Sequence, residues 1–369
     1  VAQRALKTGA IAAHTVDARR ILVEEFCYPT LQAGALYEGV YPLATALARP
    51  LIAKLLVDVA RDEGAVAVAH GCTGKGNDQV RFDVAVAALA PELRVVAPVR
   101  DWEMGRPQEI EYAARHGIEV PVTRQSPYSI DANIWGRSVE SGLLEDPWVS
   151  PPPDVFAWTS DAASPKAAPR EVLIAFEGGV PVALDGERLA AEELVQRLNV
   201  LAGACGVGRI DHVENRLVGI KSREIYEAPA AIVLHLAHAA LESLTLPRDV
   251  AQFKRTVADE WAQLVYDGLW FGALRTALGA FVATTQEHVT GEVRVHLEHG
   301  AAHVSGRRAP GSLYQPSLAT YDRTYDTFDH SAARGFIELF GLPLRTQTRT
   351  QGALEDSAPL RVERRVHRA

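Results

Sequence analysis

Ala65-Val66-Ala67-Val68-Ala69-His70-Gly71-Cys72-Thr73-Gly74-Lys75-Gly76-Asn77-Asp78-Gln79-Val80-Arg81-Phe82 joins a short apolar run to a glycine-rich loop and then to a helical pattern. Glycines between a buried strand and a helix let backbone N–H groups approach an anionic ligand closely. The same loop carries Thr73, Lys75, Asn77, Asp78 and Arg81, which together describe a polar substrate site. It is not a Walker A loop, which needs four residues between its glycines and Ser or Thr after Lys. Lys75 is followed by Gly76.

Working outward, the chain alternates up to about residue 122. Val1 to Lys7 reads as a helix ended by Gly9, Ile11 to Val16 as a strand, and Arg19 to Ala33 as a helix interrupted by Pro29. Pro50 is expected to open the next helix at its first turn, where a missing N–H is harmless, and Gly64 to end it. After the 65–69 strand, a helix from Asn77 or Asp78 to Leu89 is expected to take one of those side chains as its cap. Val95–Val99 and Ile118–Val122 read as strands around a helix from Pro107 to His116. Short apolar strands separated by helices predict an α/β unit with a parallel sheet, and ligands bind at the carboxyl ends of such strands.

Around Ser126 the pattern changes. Pro127, Pro147 and Pro151-Pro152-Pro153 mark an irregular crossing, and residues 160–170 an exposed loop. Glu171–Phe176 and Val180–Leu184 read as a hairpin about Gly178-Gly179. A helix near 189–201, a strand within 206–219 and a long helix from about Pro229 follow, so the second half is α+β. The tail from Thr346 is polar.

A net charge of -8 over 369 residues argues against non-specific nucleic-acid binding. Three widely spaced cysteines, Cys27, Cys72 and Cys205, fit a reducing compartment and supply no zinc pattern. The most apolar stretch, Ala228–Leu241, is too short to span a bilayer. No secretory leader is legible at the start, and a cytoplasmic protein without a membrane partner is expected. His235 and His238, and the later His296, His299 and His303, lack matching carboxylate or cysteine spacing, so no metal site is expected. Cys72 has no partner His in a motif and reads as a small buried residue. Glu214 lies among ionic residues in Gly208–Arg216 and Gly219–Arg223, which reads either as a solvated face or as a partly buried segment. The interleaved Ile210, Val213, Leu217 and Ile220 favour burial, and a carboxylate held there suits a substrate ammonium group.

Four motifs, Leu36–Pro50, His70–Phe82, Ser126–Asp131 and Gly206–Tyr226, occur in an order that resembles the argininosuccinate synthase family, its bacterial branch in particular. The resemblance runs to about Leu344. It implies an adenine nucleotide α-hydrolase-like domain over 1–122, a synthetase domain over 123–345 and a C-terminal arm over 346–369. The implied activity is a C–N ligase of arginine biosynthesis. L-citrulline is adenylated by ATP, with Mg2+, and L-aspartate then displaces AMP. Carried across by position, Gly71 is implied to approach ATP. Thr73, Asn77 and Asp78 are implied to contact aspartate. Tyr41, Asn77, Arg81, Ser129, Ser138, Glu214 and Tyr226 are implied to contact citrulline, in a cleft formed by both halves. No catalytic residue is assigned. A homotetramer is implied, to which the Arg-rich tail is a weak match.

The family's Ser-Gly-Gly-Leu-Asp-Thr-Ser loop is absent from this sequence, as though roughly forty residues of a βαβ unit preceded Val1. On that basis the chain is expected to keep most amino-acid contacts and to bind ATP poorly. The alternatives are a non-catalytic amino-acid-binding relative and an oligomer-forming module. Arg81→Ala or Glu214→Ala, made in an N-terminally complete protein, is expected to lower citrulline use more than stability.

Overall fold

The computed structural model describes residues 2–102, 106–118, 128–161 and 168–352, with only the backbone for 106 and 107. The chain divides into two compact units, Val1–Leu313 and Tyr314–Ala369. The first begins with α1 (Ala2–Lys7), which Gly9 ends at φ +101°. Residues 11–17 join no ladder and Ile11 is fully exposed, so the strand expected there does not form.

Next come α2 (Arg19–Leu22), a π turn (Val23–Cys27) and α3 (Tyr28–Ala33), which run on as one continuous helical stretch. Pro29 was expected to break this stretch. The π turn shifts the hydrogen-bond ladder just before the residue that has no N–H, and the helix continues. Helix α4 spans Ala44–Asp62 with Pro50 inside it, correcting the expected start at Pro50. The cost of an internal proline, about 3 kcal/mol, is outweighed by burial of Ala44, Ala46, Leu47, Ala48, Pro50 and Leu51 on both sides of it.

Strand β1 (Ala67–Ala69) pairs in parallel with β2 (Arg94–Val96), and α5 (Asn77–Leu89) connects them. Ala53 and Val57 of α4, Val68 of β1, and Phe82, Ala85 and Val86 of α5 form the small core beneath this pair. No side chain caps α5, whose N-cap is Gly76. Asn77 and Asp78, expected to cap it, direct their side chains elsewhere. Helices α6 (Pro98–Asp101) and α7 (Arg106–Arg115) follow. The predicted strand Ile118–Val122 lies outside the described residues from 119 onward.

The expected irregular crossing contains the hairpin β3 (Ser129–Ala132) and β4 (Arg137–Glu140). These join β9 (Lys221–Glu227) and β8 (Arg209–Asn215) in an antiparallel sheet of order β3-β4-β9-β8. A second antiparallel sheet has order β11-β10-β5-β6-β7, with β5 at Arg170–Glu177, β6 at Val180–Leu184 and β7 at Glu187–Arg188. Gly178 and Gly179 turn the β5–β6 hairpin at φ +55° and +77°, which only glycine adopts without strain. Helices α8 (Ala191–Ala204), α9 (Pro229–Thr245), α10 (Arg248–Tyr266) and α11 (Ala273–Gln286) precede β10 (Gly291–Glu298) and β11 (Ala301–Arg308). The main core draws on α3, α4, α8, α9, α10 and the second sheet.

In the second unit lie α12 (Pro316–Ala319), α13 (His330–Phe340, capped by the Asp329 carboxylate on the Ser331 N–H) and α14 (Leu342–Gln351). Phe336, Ile337 and Phe340 of α13 are exposed. The polar tail therefore begins as helix, and 353–369 lie outside the described residues.

Candidate active site

A cavity of about 360 Å³ opens between the α4–α5 face and the β3-β4-β9-β8 sheet. Strand alternation explains its floor. Side chains two apart share a face, so Ser129 and Asp131 of β3, Ser138 and Glu140 of β4, and Glu224 and Tyr226 of β9 all point into it. Glu214 joins them from β8, while Val139, Ile225 and Glu227 face the opposite side. The roof is helical. Thr45 and Arg49 stand one turn apart on α4, and Asn77, Asp78 and Arg81 occupy the first turns of α5.

Charged groups are dense here. Arg49, Arg81 and Arg216 meet Asp78, Asp131, Glu140, Glu214 and Glu224 around one cavity. Arg49 Nη2 donates to Asp78 Oδ2 at 2.7 Å and also to Asp131, so one guanidinium ties the roof to the floor. Arg81 Nη1 donates to Asp78 Oδ1 at 3.0 Å. Burial alone would raise the Asp78 carboxyl, but the two arginines overcome it and hold it below the usual range. At the far end Arg216 donates to Glu224 at 2.6 Å and to Glu140. Burial, reinforced by Glu140 and Glu214, pushes Glu224 up to about 9 despite Arg216. The shift favours the protonated form of Glu224.

Glu214 is 3% exposed and receives two phenols. Tyr226 donates to Oε2 at 2.6 Å and Tyr266 to Oε1 at 2.7 Å. Asn77 Nδ2 donates to the Tyr266 oxygen at 2.7 Å, and Asn77 Oδ1 accepts the Leu217 N–H at 2.9 Å. Tyr266, at the end of α10, thus bridges two residues that the motifs single out. Its ring stacks on Tyr37 at 3.6 Å, and its carbonyl accepts from Arg81 Nε at 2.8 Å. Tyr41 stacks on Tyr226 at 4.1 Å and its hydroxyl accepts the Thr45 N–H.

Of the residues anticipated from sequence, Tyr41, Asn77, Asp78, Arg81, Ser129, Ser138, Glu214 and Tyr226 line this one cavity. Gly71 and Thr73 do not line it. They sit in the exposed loop after β1, beside the first turn of α5. Cys72 is half-buried in that loop, and burial with the nearby Asp78 pushes its thiol up to about 11, which removes thiolate character at neutral pH. His235 and His238 are buried in α9.

Thr45, Arg49, Glu140, Arg216, Glu224 and Tyr266 were missed. Arg49 was signalled by its one-turn spacing from Thr45 inside Leu36–Pro50, and Glu224 by its alternation with Tyr226. Tyr266 carries no sequence signal, because it lies 189 residues from Asn77, whose amide it meets.

Residues 1–119 match a family model described as the arginosuccinate synthase N-terminal HUP domain, and 128–347 match one described as the arginosuccinate synthase C-terminal domain. Proteins named argininosuccinate synthase from three bacteria are similar to this chain. The Oceanobacillus iheyensis protein is 56% identical over 95% of this chain and 84% of its own length. For Rubrobacter xylanophilus the figures are 58%, 94% and 84%, and for Gloeobacter violaceus 59%, 94% and 86%. With both domain models in chain order and more than half of the aligned positions identical to each of these relatives in turn, this chain belongs to the argininosuccinate synthase family.

Proposed function

We propose that this protein condenses L-citrulline with L-aspartate at the expense of ATP, through a citrullyl-adenylate, in the cavity under Arg49 and Arg81. The observation that carries the proposal is the doubly phenol-bonded Glu214 facing Arg81 and Asn77 across a buried polar cavity. That arrangement supplies a negative seat for an α-ammonium group and cationic and amide donors for an α-carboxylate. Ser129, Ser138, Tyr41 and Tyr226 complete the citrulline seat. Thr73, Asn77 and the ionised Asp78 receive aspartate, with Asp78 accepting from its amine, and Gly71 faces the nucleotide.

In the first step the ureido oxygen of citrulline attacks the α-phosphorus, the Pα–O bond to the β-phosphate breaks, and pyrophosphate leaves. In the second the aspartate nitrogen attacks the ureido carbon, the C–O bond to AMP breaks, and the amine releases a proton. No residue is assigned as its acceptor, since Arg49 and Arg81 make Asp78 a weak base. The protein contributes positioning and charge stabilisation. Among the described residues no group of three or more His, Cys, Asp or Glu could hold a metal ion. Mg2+ usually takes few carboxylates together with substrate phosphates, so we place it with the triphosphate and assign it no protein cage.

We also assign 1–122 and 123–345 as the two halves of the site, a cytoplasmic location, and a homotetramer. No helix among the described residues is long and apolar enough to cross a membrane. Sedimentation with and without residues 346–369 tests the assembly.

The deciding experiment measures citrulline binding by calorimetry and pyrophosphate release from ATP with each amino acid omitted in turn. Citrulline binding with citrulline-dependent release supports the proposal. Binding without release supports the non-catalytic alternative, and no binding refutes the assignment of the cavity.

A further inference from the structure

The loop after β1 rests on a small polar assembly that does not line the cavity. The His70 side chain is buried, its ring stacked on Phe82 at 5.5 Å between centroids. Its Nε2 lies 2.8 Å from Asp83 Oδ1, and its Nδ1 lies 3.3 Å from the backbone nitrogen of Cys72. Asp83 is an acceptor only when ionised, and the bonds from His70 and Arg100 outweigh burial to hold its carboxyl below the usual range. The proton of the ring therefore sits on Nε2, and Nδ1 presents its lone pair to the Cys72 N–H. Asp83 serves a second support. Arg100 Nη1 donates to Asp83 Oδ2 at 2.8 Å and to Gln79 Oε1 at 3.4 Å. The Arg100 Cγ lies 3.6 Å from where a Cβ on Gly74 would stand, and Gln79 Nε2 donates to the Gly74 carbonyl. The loop is held at Cys72 and at Gly74, and among the described residues nothing accepts from the Gly71 or Thr73 amides.

We infer that His70 is a positioning residue, which through one ring tautomer pins the Cys72 amide so that Gly71 and Thr73 are presented to nucleotide and aspartate. Asp83 fixes that tautomer and joins it to Arg100. The inference rests on the assignment of the loop to those two substrates under the proposed function. The charged groups facing the ring are Asp83 from α5 and, behind it, Arg100 from α6.

Two isosteres separate the imidazole's two bonds. His70→Asn places its amide oxygen where Nδ1 stands and keeps an acceptor for Cys72. His70→Gln places its amide nitrogen where Nε2 stands and keeps only the bond to Asp83. We expect His70→Gln to raise KM for aspartate and ATP about ten-fold and His70→Asn about two-fold or less, the scale of one lost hydrogen bond. Citrulline affinity should match wild type in both variants, and the melting midpoint should fall by similar amounts in the two, since each loses one buried hydrogen bond and the stacked ring. Equal rises in KM in the two variants, or rises that track melting, would make His70 merely structural and overturn the inference. The ring 15N spectrum gives a readout independent of activity. Protonation at Nε2 with an unprotonated Nδ1 is expected, and the opposite tautomer refutes the inference even if citrulline binds as proposed. Failure of wild type to bind citrulline, with the expected tautomer, would instead count against the functional assignment.

Discussion

Replacing Glu224 by Gln separates two descriptions of the cavity floor. If Glu224 were an ionised partner of Arg216, its amide would break a buried ion pair and destabilise the fold by about 3–5 kcal/mol. Burial beside Glu140 and Glu214, with one guanidinium among three carboxyls, instead pushes Glu224 upward and favours its protonated form. The amide is then a near-isostere of what is already there. The sign of the pH dependence follows directly. The folded state holds a proton that the unfolded chain releases above its ordinary carboxyl pKa, so stability falls as pH rises, by about 1.4 kcal/mol per unit. That decline runs from the ordinary carboxyl pKa up to the raised folded one and levels off beyond it, on the order of a few kcal/mol in all. Glu224→Gln lacks the titration, so its stability relative to wild type should climb by this amount over the same interval. Urea unfolding of both proteins at several pH values measures it. Parallel stability profiles, or a variant destabilised by several kcal/mol at pH 7, would refute the protonated description.

Other consequences are simpler. Tyr266→Phe leaves Asn77 Nδ2 and Glu214 Oε1 each without a buried partner, at about 1–3 kcal/mol. Citrulline affinity should fall about ten-fold while nucleotide affinity is unchanged, as read by calorimetry. Glu214→Gln keeps the volume and an oxygen for one phenol but removes the ammonium seat. Citrulline binding should weaken by about 2 kcal/mol or more with a smaller change in unfolding free energy. Gly268 has φ +81°, and a Cβ there would stand 2.8 Å from Arg81 Cα. Gly268→Ala should therefore cost about 2 kcal/mol of stability in denaturant titration and weaken citrulline binding with it. An unchanged midpoint would show that Arg81 is free to shift.

The structure also alters one expectation about Arg81. Its Nε bond to the Tyr266 carbonyl and its place over the Tyr266 ring at 4.8 Å make it part of the packing. Arg81→Ala should lose folding and citrulline binding together, which leaves Glu214 as the cleaner test.

Local elements were legible where one segment contained its own reasons. The strand ending at Ala69, the helix closed by Gly64 and the Gly178-Gly179 hairpin follow from periodicity and glycine conformation. Pro29 and Pro50 misled for a shared reason, since their local penalties are outweighed by burial that depends on distant partners. Ile11–Val16 has strand propensity, but a strand needs a neighbouring ladder and none is present among the described residues.

The sequence by itself determined the family, the two kinds of architecture and about half of the residues around the cavity, because motifs and short-range periodicity are properties of the chain. The tertiary structure decided how charge is distributed there. It brought Arg49 between Asp78 and Asp131, set Glu224 beside Glu140, and carried Tyr266 to Asn77 and Glu214. Ionisation and hydrogen bonding depend on distance and burial between segments far apart in sequence, and only folding sets those quantities.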